Sequence, residues 1–242
     1  MIPTIKVLGF AVARLDTESC LDRIMEMVGR GEGHIVTANA EILYAASRSR
    51  RLGEVLDASE MITADGMGVV LAAKLLGHPV PERVSGVELL HGVCQRLALE
   101  GESIFLLGSA PGVAETAASR LIGLYPGLVV SGTHHGYFAE SESDKVAQMI
   151  RNAKPHFLAV AMGPRQEEWI SRNRSQLRCP AMGVGGTLDI IAGVTTRAPR
   201  WMQRMGLEWF YRLCKEPRRL TRTLALPKFV LEVLKQRTTR GR

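Results

Sequence analysis

Three groups of residues in this 242-residue sequence have the types and spacing that chemistry asks for. Thr37 and Asn39 lie two apart in IVTANAEIL, so their side chains point the same way wherever the backbone stays extended. Asp65 follows the apolar run MITA in ITADGMGVV, at a place where a carboxylate could take the proton of an attacking hydroxyl. Three glycine-bearing segments, LLGSAPG, AMGPRQEEW and AMGVGGTLD, each end an apolar run and begin a helix-like one. Glycines such as Gly108, Gly185 and Gly186 let a phosphate approach the backbone, and the helix that follows offers unpaired amides and a positive dipole end. A nucleotide diphosphate suits such a place. Each feature also has a plainer role. Asn39 is a good cap for AEILYAASRS, Asp65 can make an Asx turn before Gly66, and glycine after a strand is ordinary turn geometry.

Missing patterns narrow the chemistry. No G-x-G-x-x-G opens the first strand and helix, and no G-x-x-x-x-G-K-[ST], G-x-S-x-G or H-E-x-x-H occurs, which weakens the dehydrogenase, NTPase, hydrolase and metalloprotease readings. His134 and His135 are adjacent, so their side chains diverge in a strand or a helix and make poor joint metal ligands. No D-x-D pair is present to hold a divalent ion on a nucleotide diphosphate. No metal or other cofactor is expected, and arginine would have to stabilise a departing diphosphate.

The elements that must position these residues follow from hydrophobic pattern. Strands are expected at Ile5–Leu8, His34–Thr37, Met61–Ala64, Ser103–Leu107, Leu128–Ser131, Phe157–Ala161 and Ala181–Val184. Between them fall helix-like stretches at Thr17–Val28, Ala40–Ala46, Gly68–Leu76, Val87–Glu100, Val113–Leu124, Asp144–Asn152 and Gln166–Ser175. Strand and helix in alternation predict an α/β fold: an open, mostly parallel, Rossmann-like sheet with helices on both faces. Ligands of such sheets gather beyond the carboxyl ends of the strands, where Thr37, Asn39, Asp65 and the three glycine turns all fall.

Charge divides the chain unevenly. Residues 197–242 hold thirteen Lys and Arg against three Asp and Glu, a balance of +10, whereas residues 1–196 hold eighteen against twenty-one, a balance of −3. Five of the thirteen aromatic residues (Trp201, Trp209, Phe210, Tyr211 and Phe229) also lie in the basic part. Two units are expected: a catalytic α/β domain over 1–196, and over 197–242 an amphipathic helical appendage suited to a membrane surface. The four-residue spacing of Trp209 and Leu213 fits equally well a helical face packed on the domain. Cys20, Cys94, Cys179 and Cys214 are too scattered for a zinc module or a disulfide framework, and no run reaches the roughly 20 apolar residues of a spanning helix. A cytoplasmic protein with reduced thiols, peripheral on the inner face of the cell membrane, is the expectation. An acidic core without RNP, zinc-finger or helix-turn-helix patterns speaks against a nucleic-acid partner.

The segments TANAEIL, ITADGMGVV, ERVSGVELL, IFLLGSAPG, HHGYF, AVAMGPRQEEWI, GVGGTLDIIAG and RAPRWMQRMGLEWFYRLCKEPRRLTR are collinear and cover nearly the whole chain. Together they resemble the WecG/TagA/CpsF glycosyltransferases, glycosyltransferase family 26, of bacterial surface polysaccharide and teichoic acid synthesis. The resemblance implies an inverting, metal-independent transfer from a UDP-sugar donor, of N-acetylmannosamine type or a related hexose or uronic acid, to a polyprenyl-diphosphate-linked sugar acceptor. It also implies roles. Asp65 matches the family's proposed base, Thr37 and Asn39 its T-x-N segment, Arg83 a basic contact, and Gln166 the amide after the GP turn. Gly108, Ser109, Tyr137, Gly185, Gly186 and Asp189 fall in segments resembling the donor pocket, and Arg212, Arg219 and Arg222 match tail arginines that close over the site, with Arg218 competing with Arg219 for its register. A noncatalytic UDP-sugar-binding module is the alternative, against which the full set Thr37, Asn39, Asp65, Arg83 and Gln166 speaks. Exposed apolar surface on a tail awaiting a membrane is expected to promote homo-oligomers in solution.

Overall fold

The computed structural model describes residues 2–199, 201–202, 205, 207–215 and 225–240. Runs rich in Val, Ile, Leu and Ala pair there into one eight-stranded sheet of order β1-β2-β4-β3-β8-β7-β5-β6. The strands are β1 (Thr4–Val7), β2 (Phe10–Ala13), β3 (His34–Ala38), β4 (Met61–Ala64), β5 (Ser103–Gly108), β6 (Val129–His134), β7 (Phe157–Ala161) and β8 (Ala181–Gly183). All pairings are parallel except the β1–β2 hairpin. β4, β5, β7 and β8 are buried along their whole length, which is why they read as continuous apolar runs without alternation.

One face of the sheet is covered by α1 (Thr17–Arg30), α5 (Gly86–Glu100), α6 (Val113–Leu124) and α9 (Thr187–Ile191). The other carries α2 (Ala40–Arg48), α3 (Arg50–Asp57) and α4 (Met67–Leu75) at one end, and α7 (Ser143–Ala153) and α8 (Gln166–Leu177) at the other. The open, mostly parallel α/β fold expected from the sequence is the fold observed. Two elements escape the pattern reading. The first hairpin turns at Leu8 and Gly9, both with positive φ (51° and 99°), so the single expected strand Ile5–Leu8 is two. The helix expected at Ala40–Ala46 is followed by a second one, α3, capped by Ser49, whose hydroxyl accepts from the Leu52 amide.

Residues 208–215 form α10 (Glu208–Lys215) and residues 225–240 form α11 (Ala225–Arg240). Phe229 and Val233 of α11 are each 1% exposed and join the core of α2 and α4. The Gln236 side chain accepts from the Leu8 amide (2.8 Å) and donates to the Lys6 carbonyl (2.8 Å), so the last helix is bonded across the first hairpin. The outward side of α11 exposes Val230, Leu231 and Leu234, and Trp201, Met205, Trp209 and Phe210 are also exposed.

Candidate active site

Chain order reverses direction at the middle of the sheet. From β3 the chain moves outward to β4, whereas β8 is reached from β7 on the opposite side, and β3 and β8 lie side by side in register from His34↔Ala181 to Val36↔Gly183. A crevice therefore opens beyond their carboxyl ends, the usual ligand place in such sheets. Thr37 leaves β3 here, and its hydroxyl donates to the Gly183 carbonyl (2.6 Å). Gln166, the first residue of α8 and 5% exposed, accepts the Gly185 amide on Oε1 (3.1 Å) and donates from Nε2 to Glu167 (2.8 Å). Two expected site residues thus grip the same turn after β8, one at its carbonyl and one at its amide.

Asp65 ends β4 half-buried, with its amide bonded to the Ala38 carbonyl (2.8 Å). Its Oδ2 faces the Gly86 amide at 3.4 Å, the first helical N–H of α5, where the positive dipole end favours a carboxylate. A side chain at Gly86 would meet the Thr37 hydroxyl at 3.2 Å, so the start of α5 packs between Asp65 and Thr37 and brings the two strand ends together. Asn39 is the α2 cap that its residue type allowed: Oδ1 accepts from the Ile42 amide (3.0 Å). The side chain is exposed, and Gly66 packs near its Cβ.

A second group of expected residues lies beyond β5. Gly108 has φ 135°, and a Cβ there would lie 2.3 Å from the Ala161 carbonyl oxygen, so only glycine allows β5 and β7 this approach. Ser109 follows in the left-handed region (φ 56°), is 8% exposed, and donates from Oγ to Asp189 Oδ2 (3.1 Å). That bond links the β5 turn to α9 and to Gly185 and Gly186 before it. Tyr137 is 76% exposed beyond β6, while neighbouring Gly136 is buried and its carbonyl accepts from Arg165 (2.9 Å).

Arg83 is held at one flank by Glu208 of α10 (2.9 Å) and, at longer range, by Glu88 (3.7 Å). Glu88 also pairs with Arg197 (3.0 Å), which in turn donates to the Ser85 hydroxyl (3.2 Å). Partial burial would push the Glu88 carboxyl up, but the Ser85 and Arg197 hydrogen bonds and the two guanidinium charges together hold it below the usual carboxylate range. Arg212 lies in α10, of whose arginine only the backbone is described, and Arg219 and Arg222 lie outside the described residues. Among the described residues no group of three or more His, Cys, Asp or Glu is arranged to hold a metal ion. The Cys20, Cys94 and Cys179 thiols are pushed up to about 12 by burial, first of all, which disfavours their thiolate form.

Sequence reasoning missed three residues that contact the expected ones, directly or through a neighbour. Arg197, within the quoted RAPRW run, joins the Arg83–Glu88 cluster, and the only available signal was its position at the start of that motif. Glu167, 0% exposed, and His34, 1% exposed, form a buried pair (2.7 Å) behind Gln166; a polar residue at the head of a strand and a glutamate in a helix carry no such signal by themselves.

The chain is similar to known proteins along most of its length. The chain is 35% identical over 204 residues to the N-acetylglucosaminyldiphosphoundecaprenol N-acetyl-beta-D-mannosaminyltransferase of Bacillus subtilis (strain 168), covering 84% of this chain and 79% of that protein. It is 36% identical over 203 residues to the protein of the same name in Staphylococcus aureus (strain MW2), covering 83% and 79%. A third, from Bacillus spizizenii (strain ATCC 23059 / NRRL B-14472 / W23), is 36% identical over 203 residues, covering 83% and 78%. The model of the glycosyl transferase WecG/TagA/CpsF family matches residues 5–242, and a match of that extent, with the strand-end residues gathered at one crevice, places the chain in the WecG/TagA/CpsF family of glycosyltransferases.

Proposed function

We propose that this glycosyltransferase moves a sugar of N-acetylmannosamine type from its UDP donor to N-acetylglucosamine carried on a polyprenyl diphosphate, with inversion and without a metal ion. The observation that carries the reading is Asp65: a half-buried carboxylate at the carboxyl end of β4, beside β3 and against the start of α5, in a chain whose relatives bear that transferase name. In the step proposed, the acceptor oxygen bonds to the anomeric carbon as the bond from that carbon to the diphosphate oxygen breaks. The bonding pair leaves with UDP, and the hydroxyl proton passes to Asp65. Negative charge growing on the diphosphate is met by charge-assisted hydrogen bonds from Arg83, Arg197 and the other arginines of residues 197–242, and the Gly185 and Ser109 turns form the donor's seat. Arg83 reaches this role by exchanging its Glu208 partner for phosphate oxygens. The Thr37 and Gln166 bonds keep the β8 turn in one shape while this happens.

The acceptor's lipid tail requires a membrane, and we infer that the enzyme sits peripherally on the inner face of the cytoplasmic membrane through the basic, aromatic-rich residues 197–242. Among the described residues no helix is long and apolar enough to cross one. The exposed Val230, Leu231 and Leu234 of α11 and the exposed Trp201, Trp209 and Phe210 supply apolar contact. Each Lys or Arg near an anionic leaflet adds about 1 kcal/mol. The same apolar surface supports self-association when no membrane is present.

A UDP-release assay decides the chemistry, run with a panel of UDP-sugars, a short-chain polyprenyl-diphosphate N-acetylglucosamine acceptor and EDTA. Release that needs the acceptor, survives EDTA and disappears in Asp65→Asn is the expected result. UDP binding without release from any donor would favour a noncatalytic UDP-sugar-binding module.

A further inference from the structure

Behind the crevice lies a polar chain that the proposed chemistry does not use. His34 opens β3 and Glu167 is the second residue of α8; their side chains are 1% and 0% exposed, and Nε2 and Oε2 lie 2.7 Å apart. The other carboxyl oxygen of Glu167 accepts from Gln166 Nε2 at 2.8 Å, and Gln166 Oε1 accepts from the Gly185 amide at 3.1 Å. Four groups in series therefore run from the foot of β3 to the glycine turn after β8.

Gly183 makes room for the middle of this chain. A Cβ there would lie 2.1 Å from Glu167 Oε1 and 2.5 Å from Gln166 Nε2, so the carboxyl and amide groups lie directly over the strand backbone. Burying a carboxyl group is costly, and apolar side chains of similar volume commonly fill such space at no loss of stability. A purely structural explanation is therefore poor. A chemical one is better: an amide can face Gly185 with either its oxygen or its NH2 end, and only the oxygen can accept the turn's N–H. An acceptor fixed on the far side of the amide removes that choice.

We propose that Glu167 and His34 are positioning residues for glycosyl transfer, setting the orientation of the Gln166 amide and through it the aim of the Gly185 turn at the donor. The imidazole holds Glu167, Glu167 holds the NH2 end of Gln166, and Gln166 holds the Gly185 amide. None of the three side chains need touch the reacting atoms. The inference rests on the transferase reading, since it assigns the turn to the donor.

A double-mutant cycle tests it, with UDP release as one readout and hydrogen exchange of the Gly185 amide as another. Glu167→Leu should lower kcat at least about tenfold in the wild-type background but less than about twofold in Gln166→Ala, because the residue acts through that amide. The Gly185 amide should exchange at least about tenfold faster in Glu167→Leu, while amides of β5 and β7 stay protected. Glu167→Gln keeps an acceptor for Gln166, so any loss it causes must also vanish in Gln166→Ala; full retention of turnover and of Gly185 protection is rescue of the same kind. This isosteric variant carries the test if the leucine variant does not fold. Equal losses from Glu167 substitution in both backgrounds, or a Gly185 amide as protected in Glu167→Leu as in the wild type, would overturn the proposal. Absence of turnover in the wild-type protein with every donor would instead sink the transferase reading, and the exchange measurement would still decide whether Glu167 sets the turn.

Discussion

Asp65 and Asn39 have residue types that suit either catalysis or turn-making, and both accept a backbone amide at a helix start, Asn39 from Ile42 of α2 and Asp65 from Gly86 of α5. Asp65→Asn keeps the shape and loses the proton acceptor, so turnover should fall at least about 100-fold with the melting temperature unchanged, as read by UDP release and thermal denaturation. Near wild-type turnover would remove Asp65 from the base role. Glu88 gives a prediction in pH. Its carboxyl is held below the unfolded value of about 4.3, so its pairing adds stability above that pH and loses it as the pH falls through the lower folded value. Glu88→Gln should therefore be less stable than the wild type near pH 7, with the gap closing toward pH 3 in urea titrations; an equal gap at both would contradict the pairing. Strand-end residues such as Thr37, Asp65 and Gly108 were legible because a parallel sheet collects them at one edge. The His34–Glu167 pair was not, because it joins residues 133 apart in sequence, and no local pattern encodes a contact of that range.

The elements show the same division between local and distant causes. Parallel strands and most of the helices between them could be read from apolar runs, and Asn39 from its type as the α2 cap, but α3, which Ser49 caps, was missed. The β1–β2 turn could not, because Leu8-Gly9 lacks the Asn-Gly or Asp-Gly signal that marks such hairpins, and the Gln236 bonds that brace it come from the other end of the chain. β8 owes its last residue to the side chains over it. Gly183→Ala should displace the Gln166–Glu167 pair and lower UDP-sugar turnover by more than tenfold (about 1.4 kcal/mol or more in barrier), whereas Gly123→Ala, at a helical site with nothing within 4 Å, should leave it unchanged. The aromatic and basic composition of residues 197–242 suggested a separate surface element, yet Phe229 has core packing. Phe229→Ala should cost about 3–5 kcal/mol in chemical denaturation, and a cost under about 1 kcal/mol would show that α11 is not docked as described.

At the scale of the molecule, one sheet supplies the reaction crevice at its carboxyl edge while the C-terminal helices add positive charge and exposed apolar residues. The acidic balance of residues 1–196 and the basic balance of 197–242 are the charge asymmetry behind the proposed membrane contact. Flotation with vesicles containing phosphatidylglycerol should carry the protein upward. Raising salt to about 0.5 M or substituting Leu231→Ser with Leu234→Ser should each reduce the bound fraction several-fold. Binding that ignores both would place the contact elsewhere. Deleting residues 197–242 is a poorer test, because it also removes Phe229 and Val233 from the core. The Gln236 clip has a consequence for biosynthesis. Its partners, Lys6 and Leu8, precede Gln236 by 230 and 228 residues, so the hairpin leaves the ribosome well before its brace is made. Until then the nascent hairpin lacks this brace and α2 and α4 lack the α11 cover, so the finished fold forms only once α11 has been made. A product stalled before α11 would expose the apolar sides of α2 and α4 and become a substrate for chaperones and proteases.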